Sequence, residues 1–350
     1  MASVIGWDIG GAHLKAARAE SGVIVAAAQF PCAPHHGLAH LEQAIRDAVV
    51  ALGPADRHAV TMTAELSDAF ETRAQGVAMI ARIFARESGA DSIAFYAGAD
   101  GFVAPHAVAE RAAAIASANW RASAERVARR CAEALFIDMG STTTDLIPIR
   151  NGAVAALGAS DAERLAQGEL VYTGLLRSSP LSGLALAPIA GRWTPLVHEA
   201  FATMADVRRV LGDLPEGADQ SPTADGRPKT IAASRARLAR LAGRDADEAS
   251  EAESTGDPWR AFAHFLANAQ LRLIEDQIAL LASRGAVAPD APFVGAGVGR
   301  AIVEKLARRC DRAYHPIDDF LDATAQARRA AADCAPAAAI ALLLSDERSR

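Results

Sequence analysis

The feature that most constrains this 350-residue chain is an arrangement that occurs twice. Gly6-Trp7-Asp8-Ile9-Gly10-Gly11 and Ile137-Asp138-Met139-Gly140-Ser141-Thr142-Thr143-Thr144-Asp145 each run an apolar strand into an aspartate and then a glycine turn. A loose internal repeat of this kind implies two related lobes, each offering one loop to a shared cleft. The length exceeds one ordinary core and suits two, and 51% hydrophobic residues exclude general disorder.

Short apolar runs ending in Gly or Asp alternate with longer helical patterns, the signature of an α/β protein. The pattern predicts strands over residues 4–9, 23–30, 59–63, 93–96, 135–139, 146–149 and 292–294. It predicts helices over 37–52, 70–88, 105–118, 123–132, 200–211, 258–283 and 299–307. Residues 1–131 read as the first lobe, with a helix over 331–346 packing back on it, and 132–330 as the second. An insertion over about 160–256 includes the Asp-, Glu-, Arg-, Ser- and Gly-rich stretch 216–256.

Both loops suit an anion. At Gly10 and Gly11 the backbone can take angles closed to other residues, so that consecutive N–H groups approach phosphate oxygens. Asp8 at the strand end can hold magnesium, usually through water. Lys15 either neutralises phosphate charge or is a solvated hairpin residue, and this loop taken alone could be no more than a tight turn. The second loop is more specific. Gly140, Ser141, Thr142, Thr143 and Thr144 offer hydroxyl and backbone donors together, with Asp138 and Asp145 beside them for the metal; the alternative is a Thr-rich β-hairpin.

A third element, Val294-Gly295-Ala296-Gly297-Val298-Gly299-Arg300, is a strand running into a glycine turn and a helix, where Gly295 and Gly297 admit a ring or phosphate close to the backbone. These three elements, in this order along the chain, are those of the two-lobed actin-like ATPase fold shared by acetate and sugar kinases. A dinucleotide fingerprint would instead gather its glycines and acidic ribose ligand in one short unit.

The chain resembles the methanofuran-precursor synthases, related to the hydantoinase/oxoprolinase branch of that fold. The resemblance rests on Gly6-Trp7-Asp8-Ile9-Gly10-Gly11-Ala12-His13, Thr63-Ala64-Glu65-Leu66-Ser67-Asp68, Asn119-Trp120 and residues 136–145. It continues through Gly168-Glu169-Leu170-Val171-Tyr172-Thr173-Gly174, Ala202-Thr203-Met204-Ala205-Asp206-Val207 and Thr223-Ala224-Asp225-Gly226. It implies that an aminomethylfuran carrying a methyl diphosphate is joined to the phenol oxygen of a glutamylated tyramine or tyrosine, releasing pyrophosphate. It also implies a place in methanofuran or methylofuran synthesis for the tetrahydromethanopterin-linked one-carbon metabolism of methylotrophs.

The loops would then hold a diphosphate leaving group where a kinase holds ATP, with Mg2+ expected and ATP left open. A furfuryl cation is stabilised by the furan ring, so leaving-group electrostatics would carry the catalysis. Ala12-His13 stands where many kinases carry a Thr, which weakens the case for γ-phosphoryl transfer.

A phenol needs a base near neutral pH. Glu65 and Asp68, just after the strand over 59–63, are candidates, as is His13; alternatively Ser67 or Asp68 merely caps the following helix. Asp161, Glu163, Arg164, Tyr172, Arg177 and Asp206 are candidates for recognising the furan amine and the glutamyl group. The rival readings are an ATP-dependent small-molecule kinase, a hydantoinase/oxoprolinase-like hydrolase, and a non-catalytic nucleotide-dependent switch.

The formal charge of -6 and dispersed basic residues argue against nucleic-acid and anionic-lipid partners. Cys32, Cys131, Cys310 and Cys334 lie far apart, without zinc spacing or disulfide density, and fit a reducing cytoplasm. No signal-peptide pattern follows Met1, and the apolar run 337–344 is far shorter than the roughly 20 residues of a membrane span.

Overall fold

The computed structural model describes residues 3–32, 34–247 and 257–347; residues 248–256 of the charged stretch lie outside the described residues. The chain divides into two compact units, one of Met1–Phe136, Ile147–Ser160 and His315–Arg350, the other of Ile137–Leu146 and Asp161–Tyr314.

In unit 1, β1 (Ser3–Ile9), β2 (His13–Glu20) and β3 (Val23–Pro31) form an antiparallel ribbon. β4 (Arg57–Met62) and β5 (Ile93–Tyr96) extend it in parallel, and β6 (Phe102–Val103) closes it, giving the order β3-β2-β1-β4-β5-β6. Parallel neighbours need crossovers, which the helices Leu38–Leu52 and Arg73–Ser88 provide. β1 is buried along its whole length, so Val4, Ile5, Trp7 and Ile9 form a continuous apolar run in place of an alternating one.

Gly6 explains what covers β1. A Cβ there would collide with the carbonyl oxygen of Ala337 and lie 2.8 Å from the backbone nitrogen of Ala341. The helix Ala335–Asp346 therefore lies backbone to backbone on the strand, which accounts for its small residues Ala337, Ala338 and Ala341 and for its burial from Ala335 to Leu344.

The second sheet takes β7 (Ala134–Met139), β8 (Thr144–Arg150), its short partner β9 (Ala153–Val154) and β10 (Leu170–Val171). After a separate hairpin of β11 (Leu186–Ile189) and β12 (Arg192–Pro195), β13 (Phe293–Ala296) and β14 (Tyr314–Pro316) complete the order β10-β8-β7-β13-β14. β7 thus lies between β8 and β13 as β1 lies between β2 and β4. The turns match as well: Gly10 N–H donates to the His13 carbonyl at 3.1 Å, and Gly140 N–H to the Thr143 carbonyl at 2.9 Å. Two sheets, each with a glycine-turn hairpin at its centre, make this the actin-like fold the repeat predicts. Inserted in unit 2, the helices Met204–Leu211, Ile231–Arg240 and Pro258–Ser283 share a core of Val207, Leu238, Trp259, Phe262 and Leu266.

Several local expectations give way. β2 is absent from the predicted strands because His13–Glu20 is rich in Ala and charged residues, which carry little strand signal. The helix expected over 105–118 breaks into Pro105–Ala107 and Ala112–Ile115, and the one expected over 123–132 runs from Asn119 to Ala128. Neither Ser67 nor Asp68 caps the helix beyond Phe70: it begins at Arg73, with Thr72 accepting from Gln75 N–H at 3.2 Å. Among the described residues no helix is long and apolar enough to cross a membrane, and Cys32, Cys131, Cys310 and Cys334 are free thiols.

Candidate functional site

Unit 1 gathers its polar groups at the ends of β1 and β4. Asp8 is only 5% exposed. Lys15 faces it across the β1–β2 register, and Asn119 Nδ2 approaches its Oδ1 at 3.5 Å. Burial raises the Asp8 pKa, while the Lys15 charge and the Asn119 amide pull it back. Neither Gly10 nor Gly11 has positive φ, contrary to the expected backbone angles. What excludes a side chain at Gly10 is the His13 carbonyl, 2.8 Å from where a Cβ would stand; at Gly11 nothing lies within 4 Å. Gly11 therefore faces open space. His13 is half-buried at the first position of β2, paired with Pro31.

The two candidate carboxyls after β4 part company. Asp68 is exposed, whereas Glu65, in the turn Ala64–Leu66, is 2% exposed. Its Oε1 accepts from Ser117 Oγ at 2.9 Å, and its Oε2 has no hydrogen-bond partner among the described residues. Gly76 lets the next helix close over it, since a Cβ there would lie 2.8 Å from the Glu65 Cβ. Burial pushes the Glu65 pKa up, opposed by Ser117, the local backbone amides and the charge of Arg73.

In unit 2 the hydroxyl loop is braced from behind. Leu175 N–H donates to the Gly140 carbonyl at 2.9 Å, and Leu176 and Arg177 N–H donate to the Ser141 carbonyl at 3.0 and 2.8 Å. Gly174 has to be glycine, because a Cβ would stand 2.6 Å from Thr142 N. Arg177 Nε donates to Thr142 Oγ1 at 2.9 Å, placing a cation on the loop's hydroxyls. Ser141, Thr142 and Thr143 remain half-exposed, but Thr144 is buried and its hydroxyl donates to the Thr173 carbonyl at 2.6 Å. The glycine turn of the third element packs on the same strand end: Gly299 N–H donates to the Met139 carbonyl at 2.9 Å, and at Gly297, φ 80°, a Cβ would collide with Asp138 Oδ1. Gly295 makes room for the Tyr314 ring.

The remaining candidates divide. Asp145 is ion-paired with the buried Arg164, which also donates to the Glu169 carbonyl. Asp161 and Glu163 share the helix Asp161–Ala166 with Arg164, and Tyr172 is 66% exposed beside β10. Asp206 is 4% exposed and serves the insertion: its Oδ1 accepts from Ser234 at 2.7 Å and Arg237 at 2.8 Å, and its Oδ2 from Thr203 N–H at 3.1 Å.

Among the described residues no three His, Cys, Asp or Glu side chains form a preformed metal cage. Magnesium does not require one, since it is commonly held by one or two carboxylates together with phosphate oxygens and water. The hard oxygen donors of Asp138 and the neighbouring hydroxyls fit that mode, as does Asp8 in unit 1. Asp145 fits less well, its charge already met by Arg164.

Sequence reasoning did not single out Ser117 or Gln270, and it quoted Asn119 only within the Asn119-Trp120 motif, without a role. Gln270, 4% exposed, donates to Thr173 Oγ1 at 2.8 Å and the Gly174 carbonyl at 2.7 Å, supporting the brace of the hydroxyl loop. Its place on the apolar stripe of a long helix is the one available signal.

Comparison with known proteins gives a concordant picture. The model of the hydantoinase/oxoprolinase family matches residues 56–314. A (4-{4-[2-(gamma-L-glutamylamino)ethyl]phenoxymethyl}furan-2-yl)methanamine synthase of Methanocaldococcus jannaschii is 32% identical over 231 residues, covering 65% of this chain and 68% of that protein. The protein of the same name from Methanococcus vannielii is 38% identical over 121 residues, 34% of this chain and 54% of its own length. The activator of the 2-hydroxyisocaproyl-CoA dehydratase from Clostridium difficile, solved with bound ADPNP, superposes with a TM-score of 0.43 at 14% identity over 99% of this chain and 97% of its own.

Proposed function

The chain belongs to the hydantoinase/oxoprolinase family and, within it, to the methanofuran-precursor synthases, and from that premise we propose that it is a transferase of methanofuran biosynthesis that forms an aryl furfuryl ether. The donor is an aminomethylfuran methyl diphosphate and the acceptor the phenol of a glutamylated tyramine or tyrosine. The bond from the furfuryl carbon to the bridging oxygen breaks and its electron pair leaves with pyrophosphate. The phenol oxygen bonds to that carbon, and its proton passes to a carboxylate. The product serves the furan cofactor of tetrahydromethanopterin-linked one-carbon metabolism.

The observation that carries this reading is the hydroxyl loop over 140–144. Its carbonyls are occupied from behind by N–H groups of 175–177, and Ser141, Thr142 and Thr143 stay accessible with Arg177 among them. A fixed set of donors beside a cation stabilises charge that develops on a departing diphosphate without reorganising during the reaction. When bound, magnesium would neutralise part of that charge, and Asp138 beside the loop would help hold it. The buried Glu65 supplies the base, since a carboxyl with an upward-shifted pKa is better matched to accepting a phenol proton near neutral pH.

The test is to incubate purified protein and magnesium with either ATP or the furfuryl diphosphate plus phenolic acceptor. Mass spectrometry then follows phosphate, pyrophosphate and coupled product. The proposal requires ether and pyrophosphate, with an ¹⁸O label in the furfuryl bridging position leaving in the pyrophosphate. Label kept in the organic product, or phosphate released from ATP without ether, would favour attack at phosphorus or an ATP-dependent hydrolase. Nucleotide binding with no turnover would favour a switch.

A further inference from the structure

Ser117 is not glycine, yet its φ is 52°. An L-residue in that left-handed region costs about 1 kcal/mol or more, and glycine would relieve it. The parallel bridge of Ala116 to Met62 holds this stretch at the end of β4, and the Ser117 hydroxyl donates to Glu65 Oε1 at 2.9 Å. Two residues on, Asn119 reaches Asp8 Oδ1 at 3.5 Å. One three-residue stretch thus touches both buried carboxyls of unit 1. Strain persists where the surroundings hold a residue in place for a purpose, and here the strained residue's hydroxyl bonds to Glu65.

Glu65 shows the complementary asymmetry. One carboxyl oxygen is bonded, the other is buried with no side-chain or backbone partner among the described residues, and the helix Arg73–Ser88 closes over the side chain at Gly76. A buried oxygen left without a donor costs about 1–3 kcal/mol, a cost that a fold has reason to keep where a substrate completes the bond. We infer that Ser117 is a positioning residue: it fixes Oε1 of Glu65 so that Oε2 is the oxygen presented to the acceptor's hydroxyl. In the step, the phenol proton moves to Oε2 as the phenol oxygen bonds to the furfuryl carbon and pyrophosphate departs with the electron pair. This inference rests on the transferase reading, which its test keeps separate.

Ser117→Gly removes the hydroxyl and the backbone strain together, so the variant melts no lower than wild type. Its kcat falls about 10- to 100-fold, part of the roughly 100- to 10,000-fold that a positioned general base supplies, while KM for the furfuryl diphosphate stays unchanged. A fluorinated, more acidic phenol restores much of the loss, because it needs less help from the base. Ser117→Asn, which tolerates left-handed φ and keeps a side-chain donor, recovers part of the rate. Wild-type turnover in Ser117→Gly, or a loss indifferent to phenol acidity, overturns the inference. If wild-type protein forms no ether at all, the transferase reading falls, and the pair is judged by infrared difference spectroscopy with the Glu65 carboxyl band assigned through Glu65→Gln. A band that shifts in Ser117→Gly supports the positioning role for another acceptor; an unshifted band overturns it.

Discussion

His58 is 5% exposed beside Trp7, whose indole N–H donates to its Nδ1 at 3.0 Å, so the imidazole is neutral in the folded protein. Burial lowers its pKa from 6.5 to about 4. Between those values the unfolded chain binds the extra proton, and stability is lost as pH falls from about 6.5 to 4, by at most about 3 kcal/mol. Urea titrations should show this slope in wild type and a flatter one in His58→Gln, whose amide oxygen can still accept from Trp7. Glu65 works in the opposite sense. Its raised pKa means the folded state holds the proton more tightly, so its contribution is present below the ordinary carboxylate range and is lost as pH rises through the folded value. Relative to Glu65→Gln, wild type should therefore gain stability as pH falls toward 4. The same variant should lose about 100-fold or more in kcat. The sequence sets Glu65 only slightly ahead of Asp68, since both follow the same strand; burial, which depends on the Gly76 contact, separates them.

At the scale of the element, the two glycine loops make a contrast that sequence alone does not offer. Gly10 and Gly174 are required by backbone that stands 2.8 and 2.6 Å from where a Cβ would be, while Gly11 meets nothing within 4 Å and has ordinary φ. Gly174→Ala should displace the hydroxyl loop, lowering both melting temperature and diphosphate affinity. Gly11→Ala should leave stability within about 0.5 kcal/mol, as at an unencumbered surface position. A rise in its KM for the diphosphate would show that a ligand uses the space; an unchanged KM would show only a hairpin turn. The strand–Asp–Gly repeat was legible because strand ends and glycine turns leave local marks. The braces at 174–177 and the partner of Asp145 were not, because they join residues far apart in sequence through single hydrogen bonds and ion pairs.

Across the whole chain, the alternation of apolar runs and helical patterns was enough to read an α/β protein with a repeated hairpin. The covering of β1 by the helix Ala335–Asp346 shows what such a reading misses: Gly6 and Ala337 look like unremarkable small residues until their backbones meet. Gly6→Val should prevent that contact and lower melting temperature by several degrees or abolish folding, since overpacking against backbone has no side chain to yield. Removing residues 335–347 should bare β1 and make the protein aggregate, as light scattering would show.

That covering also orders events in time. During synthesis β1 leaves the ribosome early, but the helix that seals it emerges only after residues 335–346 have been made. Until then a central strand carrying Val4, Ile5, Trp7 and Ile9 waits with one face bare, an exposure that nascent chains manage by engaging chaperones. Completion of unit 1 therefore waits for that helix, and a stalled chain ending before residue 335 should remain bound to a holdase when one that includes residues 335–346 has let go.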